Sequence, residues 1–165
     1  MKVLYILCLL VAVTQAASLN IPDRGGVGIS IVSSNEFCMY LPPGPGLSVS
    51  ATENDAIAFC QTPTSYAKVF PVGFIKSAHY VRTSTYVQVT GRMNSSTYDI
   101  QVEDGGGQYD HKNLPKGTCN GMKYWVNVLE PDNDIYCIRC CQLKGDCNIG
   151  ISTYGCAHII PGNYN

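Results

Sequence analysis

Tyr124-Trp125-Val126-Asn127-Val128-Leu129, then Pro131-Asp132-Asn133-Asp134, then Ile135-Tyr136-Cys137-Ile138-Arg139: two extended runs flank a cluster of turn residues. The first run is apolar enough to read as a central strand, and the second is rich in β-branched and aromatic residues. The same pattern repeats outward along the chain. Val27 to Val32, Phe37 to Leu41, Ile57 to Gln61, Lys68 to Phe70, Phe74 to Thr83 and Tyr86 to Thr90 are further strand candidates. Tyr98-Asp99-Ile100-Gln101-Val102-Glu103 alternates apolar and polar residues, which predicts a strand with one face on a core. Pro42-Pro43-Gly44-Pro45-Gly46, Gly105-Gly106-Gly107 and Pro115-Lys116-Gly117 punctuate these runs as turns. Helix signals are weak. Ser50 to Cys60 is the best candidate, and an extended reading of Ile57 to Cys60 competes with it. The expectation is an all-β fold, a single disulfide-stabilised domain, sandwich or barrel-like, with little helix.

The cysteines set the compartment. Lys2 followed by the apolar run Val3 to Val13, with Ala16 at a small-residue exit, has the form of a secretory signal over residues 1–16. The run is too short for a membrane span, which needs about 20 apolar residues. Removing it takes Cys8 away and leaves Cys38, Cys60, Cys119, Cys137, Cys140, Cys141, Cys147 and Cys156 in a single domain over 17–165. Eight cysteines in an oxidising compartment predict four disulfides, which can pair in 105 ways. Cys140 and Cys141 cannot bond each other on an ordinary trans backbone. The protein is expected to be secreted, in the medium or the cell wall, and monomeric.

Charge narrows the partners. Lys and Arg number 11 against 12 Asp and Glu, and charged residues are only 14% of the chain. The sequence holds no basic cluster, so it lacks the footprint of a nucleic-acid binder.

The candidate sites are few. Cys137-x-x-Cys140 has the spacing of a zinc or redox pair, but in an exported chain disulfides are the better reading, and no metal or cofactor is expected. Glu103, Asp104 and Asp110 with His111 surround three glycines. Such a loop could hold Ca²⁺, a sugar or an acid–base pair, or be a solvated turn; its spacing fits no calcium loop. Asp104, Asp110 and His111 are therefore the catalytic candidates. Asn94-Ser95-Ser96 is an N-glycosylation sequon placed at an expected turn. Tyr80, Tyr86 and Tyr98 fall in strand candidates and could share a sugar-stacking face; alternatively they are half-buried strand residues, and Trp125 is core. His79, His111 and His158 are far apart, and no Gly-x-Ser-x-Gly occurs.

The order of several segments carries a resemblance. Phe37-Cys38-Met39-Tyr40-Leu41-Pro42-Pro43-Gly44-Pro45, Ala58-Phe59-Cys60, Tyr86 to Gly91, Asp104-Gly105-Gly106-Gly107, Asp110-His111, Cys137-Ile138-Arg139-Cys140-Cys141, Asp146-Cys147 and Gly155-Cys156 follow one another. Together they resemble small secreted fungal proteins of the macrophage-activating glycoprotein family. The resemblance implies secretion, glycosylation and host contact, and no catalytic residues. It also implies the pairs Cys38–Cys60 and Cys119–Cys140, with Cys137, Cys141, Cys147 and Cys156 pairing among themselves. The functional expectation is a non-catalytic protein that binds a cell wall, a glycan or a host surface. A polysaccharide-active hydrolase and an effector or inhibitor of a host protein are the alternatives.

Overall fold

The computed structural model describes residues 28–101, 103–114 and 117–165. The expected signal over 1–16, with Cys8, lies outside them, as do Val27 and Val102 from two predicted strands. The strands are β1 (Ile31–Ser33), β2 (Glu36–Leu41), β3 (Ile57–Cys60), β4 (Lys68–Val69), β5 (His79–Arg82), β6 (Tyr86–Arg92), β7 (Gly107–Asp110), β8 (Tyr124–Glu130) and β9 (Ile135–Cys141). One short helix, α1 (Gly155–Ile159), follows. β1-β2-β3-β4 form one sheet, in which only β3 and β4 run parallel. β5-β6-β9-β8-β7 form the other, antiparallel throughout. The all-β expectation holds, and the two sheets share one aromatic core.

The period of two along β8 and β9 builds that core. Trp125 and Leu129 of β8, with Tyr136, Ile138 and Cys140 of β9, turn inward and are wholly buried. Trp125 stacks on Tyr40 of β2 at 4.7 Å between centroids, and Tyr136 stacks on Phe37 at 5.9 Å. Asn127 also faces inward, with no exposure. Its Oδ1 accepts the Tyr40 N–H at 2.7 Å and its Nδ2 donates to the Cys137 carbonyl at 3.3 Å. It thereby ties backbone of β2 in one sheet to backbone of β9 in the other.

The alternate residues of the same strands face outward and are buried too. Val126, Val128, Cys137 and Cys141 pack against Cys147, Cys156, Ile159 and Ile160 of the C-terminal segment, residues 142–165. This segment straps the outer face of the five-stranded sheet, making a third layer. The polar residues beneath it have partners. Gln88 Nε2 donates to the Pro161 carbonyl and Thr90 Oγ1 to the Asn163 carbonyl. Arg139 is 9% exposed; its Nε donates to Gln88 Oε1, its Nη1 to the Asp146 carbonyl, and its guanidinium sits 4.2 Å from the Tyr86 ring centroid. Burial pulls the Arg139 pKa down from its ordinary value, but guanidinium starts so high that it stays a cation.

Four disulfides tie the layers. Cys38–Cys60 joins directly opposed residues of β2 and β3, and Cys119–Cys140 lies on the inner side of β9. Cys137–Cys156 and Cys141–Cys147 fasten the strap to its outer side.

Two expectations are corrected. Tyr98 to Glu103 is no strand: Ser95–Tyr98 forms a 3-10 turn, and Asp99 then adopts φ +53° with its N–H on the Ser95 and Ser96 carbonyls. Tyr98 and Ile100 are buried from a turn rather than a strand, so the alternation was real and its cause was different. The fifth strand of the large sheet is instead Gly107–Asp110, inside the region read as an acidic glycine loop. The Ser50 to Cys60 ambiguity resolves into a 3-10 turn at Ser50–Thr52 followed by β3.

Burial raises the phenol pKa of Tyr40, Tyr109, Tyr136 and Tyr164, and pushes that of Tyr98 up to about 12. An unfolded tyrosine ionises near pH 10. Each raised phenol therefore adds stability that is intact below pH 10 and lost as pH rises toward its folded value. The expected result is an alkaline unfolding transition above pH 10 in which these five ionise late, together with loss of structure. Absorbance at the phenolate band, followed beside circular dichroism, checks it; early ionisation of these five along with the exposed tyrosines would contradict it.

Candidate functional site

β7 is the edge strand of the large sheet, and its period of two places Gln108 and Asp110 on the outer face beside the strap. Asp110 is 2% exposed. Its Oδ1 accepts the backbone N–H groups of Lys112 at 2.6 Å and Asn113 at 3.0 Å, and its Oδ2 accepts Gln108 Nε2. A buried carboxylate with three donors on it shapes the turn after β7 and is badly placed to exchange a proton with a substrate. Asp104 lies before the other end of β7, where Oδ2 accepts the Val49 N–H at 2.7 Å and Oδ1 the Gly106 N–H at 2.9 Å. The expected Asp104–Asp110 pair is thus split across the length of a strand, and each member is committed to loop backbone. His111 is held by its Nδ1, 3.1 Å from the Trp125 carbonyl, with its ring edge-on to Tyr124.

Asp110 does line a cleft, with a different companion. A hollow of about 280 Å³ is bounded by Glu53, Gln108, Asp110, Lys112, Asn113, Ile149, Gly150 and Ser152. It lies between the edge of β7, the chain after the 3-10 turn Ser50–Thr52 and the strap. Glu53 accepts Asn113 Nδ2 through Oε2 at 3.2 Å. Gln108 is 4% exposed, and its Oε1 is buried without a hydrogen-bond partner. Because Nε2 is committed to Asp110, the amide orientation is fixed, and the oxygen lies buried behind the lining with no donor among the described residues. The Glu53 carboxylate, a hydroxyl from Ser152, the Lys112 ammonium and the apolar side of Ile149 together make a lining for a ligand rich in both donors and acceptors.

A second hollow of about 320 Å³ adjoins it through Lys112 and Ile149, and adds His111, Lys123, Tyr124 and Lys144. The sequence holds no basic cluster; the fold assembles one from three separate segments. The residue types of both hollows were visible in the sequence, and the Gln108-x-Asp110 spacing could have flagged the outer face of a strand had the region not read as a loop.

The tyrosine platform does not form. Tyr80 packs against the inner core, Tyr86 faces outward under the strap, and Tyr98 is buried with its hydroxyl on the Pro42 carbonyl at 3.0 Å. Tyr80 and Tyr86 lie on opposite faces of one sheet, the consequence of odd and even positions in the β5–β6 register. Asn94 is half-buried at the start of the 3-10 turn, where its Oδ1 accepts Ser96 Oγ at 2.6 Å. The histidines stay apart, on β5, after β7 and in α1. Among the described residues no group of three or more His, Cys, Asp or Glu is gathered to hold a metal ion, and no helix is long and apolar enough to cross a membrane.

The chain is 30% identical over 155 residues to Appressorium protein ROW1 of Mycosarcoma maydis, covering 81% of this chain and 36% of that one. It is 25% identical over 158 residues to Appressorium protein ROW2 of the same fungus, covering 83% of this chain and 54% of that one. This chain is similar to fungal appressorium proteins. It spans about a third to a half of the length of these curated relatives. The fungal affiliation expected from the segment order stands, whereas the relatives carry the appressorium name and not that of the macrophage-activating glycoproteins. No family model matches the chain, and no solved structure matches it.

Proposed function

We propose that this is a secreted, non-catalytic fungal protein that binds a glycan surface through the hollow between β7 and the strap. The surface is a cell wall or the exterior of a host, and the appressorium name of the relatives makes a contact structure the setting. The observation that carries the reading is the mixed lining of that hollow, where the Glu53 carboxylate, the Asn113 amide, the Ser152 hydroxyl and the Lys112 ammonium surround about 280 Å³. A polyol supplies donors and acceptors together, which this mixture requires. Four disulfides and a three-layer fold hold the lining in place before the ligand arrives, which limits the ordering cost of binding. Glycosylation at Asn94 belongs to the same reading.

The test is retention of the purified, oxidised protein on insoluble chitin, β-glucan and mannan, with soluble sugar measured in the same tubes. One polymer is expected to retain the protein without releasing sugar. Glu53→Gln and Ser152→Ala each remove a polar group from the hollow, and each is expected to weaken retention roughly tenfold, about 1.4 kcal/mol, at unchanged thermal midpoint. Equal retention of both variants would remove the site. Release of sugar would overturn the non-catalytic reading.

A further inference from the structure

We propose that Lys112, Lys123 and Lys144 form an anion subsite beside this hollow, and that the glycan bound there is an acidic one. The inference rests on the glycan reading above and names its substrate class. The three lysines come from three places: Lys112 from the turn after β7, Lys123 from the residue before β8, and Lys144 from the strap. Register explains their meeting. Tyr124 stands directly opposite Cys141 in the β8–β9 ladder, so the chain leaving β9 starts beside Lys123. The Cys141–Cys147 disulfide then closes a six-residue separation and keeps Lys144 close to that point.

The surroundings are one-sided. Three of the chain's eleven Lys and Arg line one hollow that, among the described residues, no carboxylate lines, in a protein whose formal charge is only −1. All three lysines are exposed. Among the described residues, none of their ammonium groups has a hydrogen-bond or ion-pair partner; Lys123 has only the Tyr124 ring, 5.8 Å away. Mutual repulsion among three cations at one opening is relieved by an anion, and compact ammonium groups suit carboxylate, phosphate or sulfate oxygens alike. The neighbouring hollow, which shares Lys112 and Ile149, is the one the glycan reading fills with hydroxyls. One ligand that satisfies both is a sugar chain whose residues carry an acidic substituent. The Tyr124 ring offers a flat face to that sugar.

The experiment compares four soluble polymers by titration calorimetry at 50 mM and 300 mM salt: neutral mannan, phosphomannan, polygalacturonate and poly-L-glutamate. The wild type is expected to bind phosphomannan or polygalacturonate at least tenfold more tightly than mannan, with the preference shrinking at high salt as screening shortens. Which of the two binds identifies phosphate or carboxylate as the recognised group. The triple variant Lys112→Gln, Lys123→Gln, Lys144→Gln is expected to lose that preference at unchanged thermal midpoint, whereas Lys68→Gln with Lys76→Gln keeps it. Equal binding of mannan and the acidic polymers by wild type would overturn the anion subsite and leave the glycan reading standing. Binding of polyglutamate as tightly as the acidic glycans would show charge reading alone and overturn the acidic-glycan assignment. Failure to bind any of the four would overturn the acidic-glycan assignment, and the glycan reading falls with it only if chitin and β-glucan also retain nothing.

Discussion

Changing Cys137 and Cys156 together to alanine is expected to cost about 2–5 kcal/mol of stability, the range for removing a native disulfide from a small secreted domain. The bond closes a separation of 19 residues and anchors α1 to the middle of β9. It is one of two covalent ties between the strap and the sheet. Under the strap lie Val126 and Val128, both buried, with Gln88, Thr90 and Arg139 bonded to strap backbone or to one another. Loosening it exposes apolar surface and strands polar groups at once. Denaturant titration would measure the loss as a lower midpoint, and a hydrophobic dye should bind the variant below that midpoint. A midpoint within 0.5 kcal/mol of wild type would mean that packing, and not the bond, holds the third layer.

Trp125→Ala is expected to cost about 3–5 kcal/mol, as large-to-small changes at fully buried aromatics do. Trp125 has no exposure, stacks on Tyr40 across the two sheets, and donates Nε1–H to the Gly117 carbonyl at 3.1 Å. The variant loses the transfer energy of the indole, opens a cavity between the sheets, and leaves the carbonyl without its donor. Tyr154→Ala supplies the comparison: Tyr154 is 64% exposed and stacks only on His158, so a change within about 0.5 kcal/mol is expected. Equal losses in the two would sink the assignment of Trp125 to the core centre.

What could be read in the chain before folding follows from range. β2, β3, β6, β8 and β9 declare themselves through β-branched and aromatic runs, because a strand buried on both faces needs little but apolar residues. β7 hides, because Gly106 and Gly107 read as a flexible loop. Both are there for contact: Gly106 has φ +92°, and a Cβ on it would collide with the Leu129 carbonyl, while a Cβ on Gly107 would press on Ser50 backbone. Only glycine lets this edge strand close on β8. α1 is five residues long and opens on Gly155, too short for any periodic signal. The site is harder still. Glu53 and Asp110 are 57 positions apart, and Lys112 and Lys144 are brought together by the β7–β8–β9 order and a disulfide, neither of which local pattern contains. Asp104, Asp110 and His111 drew notice by residue type, and residue type does not reveal that backbone N–H groups already occupy the two carboxylates.

Cys140 and Cys141 sit side by side on β9 and point to opposite layers. The spans they help define interlock: Cys119–Cys140 overlaps Cys137–Cys156, and Cys141–Cys147 nests inside the second. A protease cut anywhere between Cys119 and Cys156 therefore leaves two fragments that remain one molecule until a reductant arrives. Nicking and loss of the fold are therefore separate events: a clipped molecule keeps its covalent continuity, and with it the three lysines and the hollow that straddle the cut.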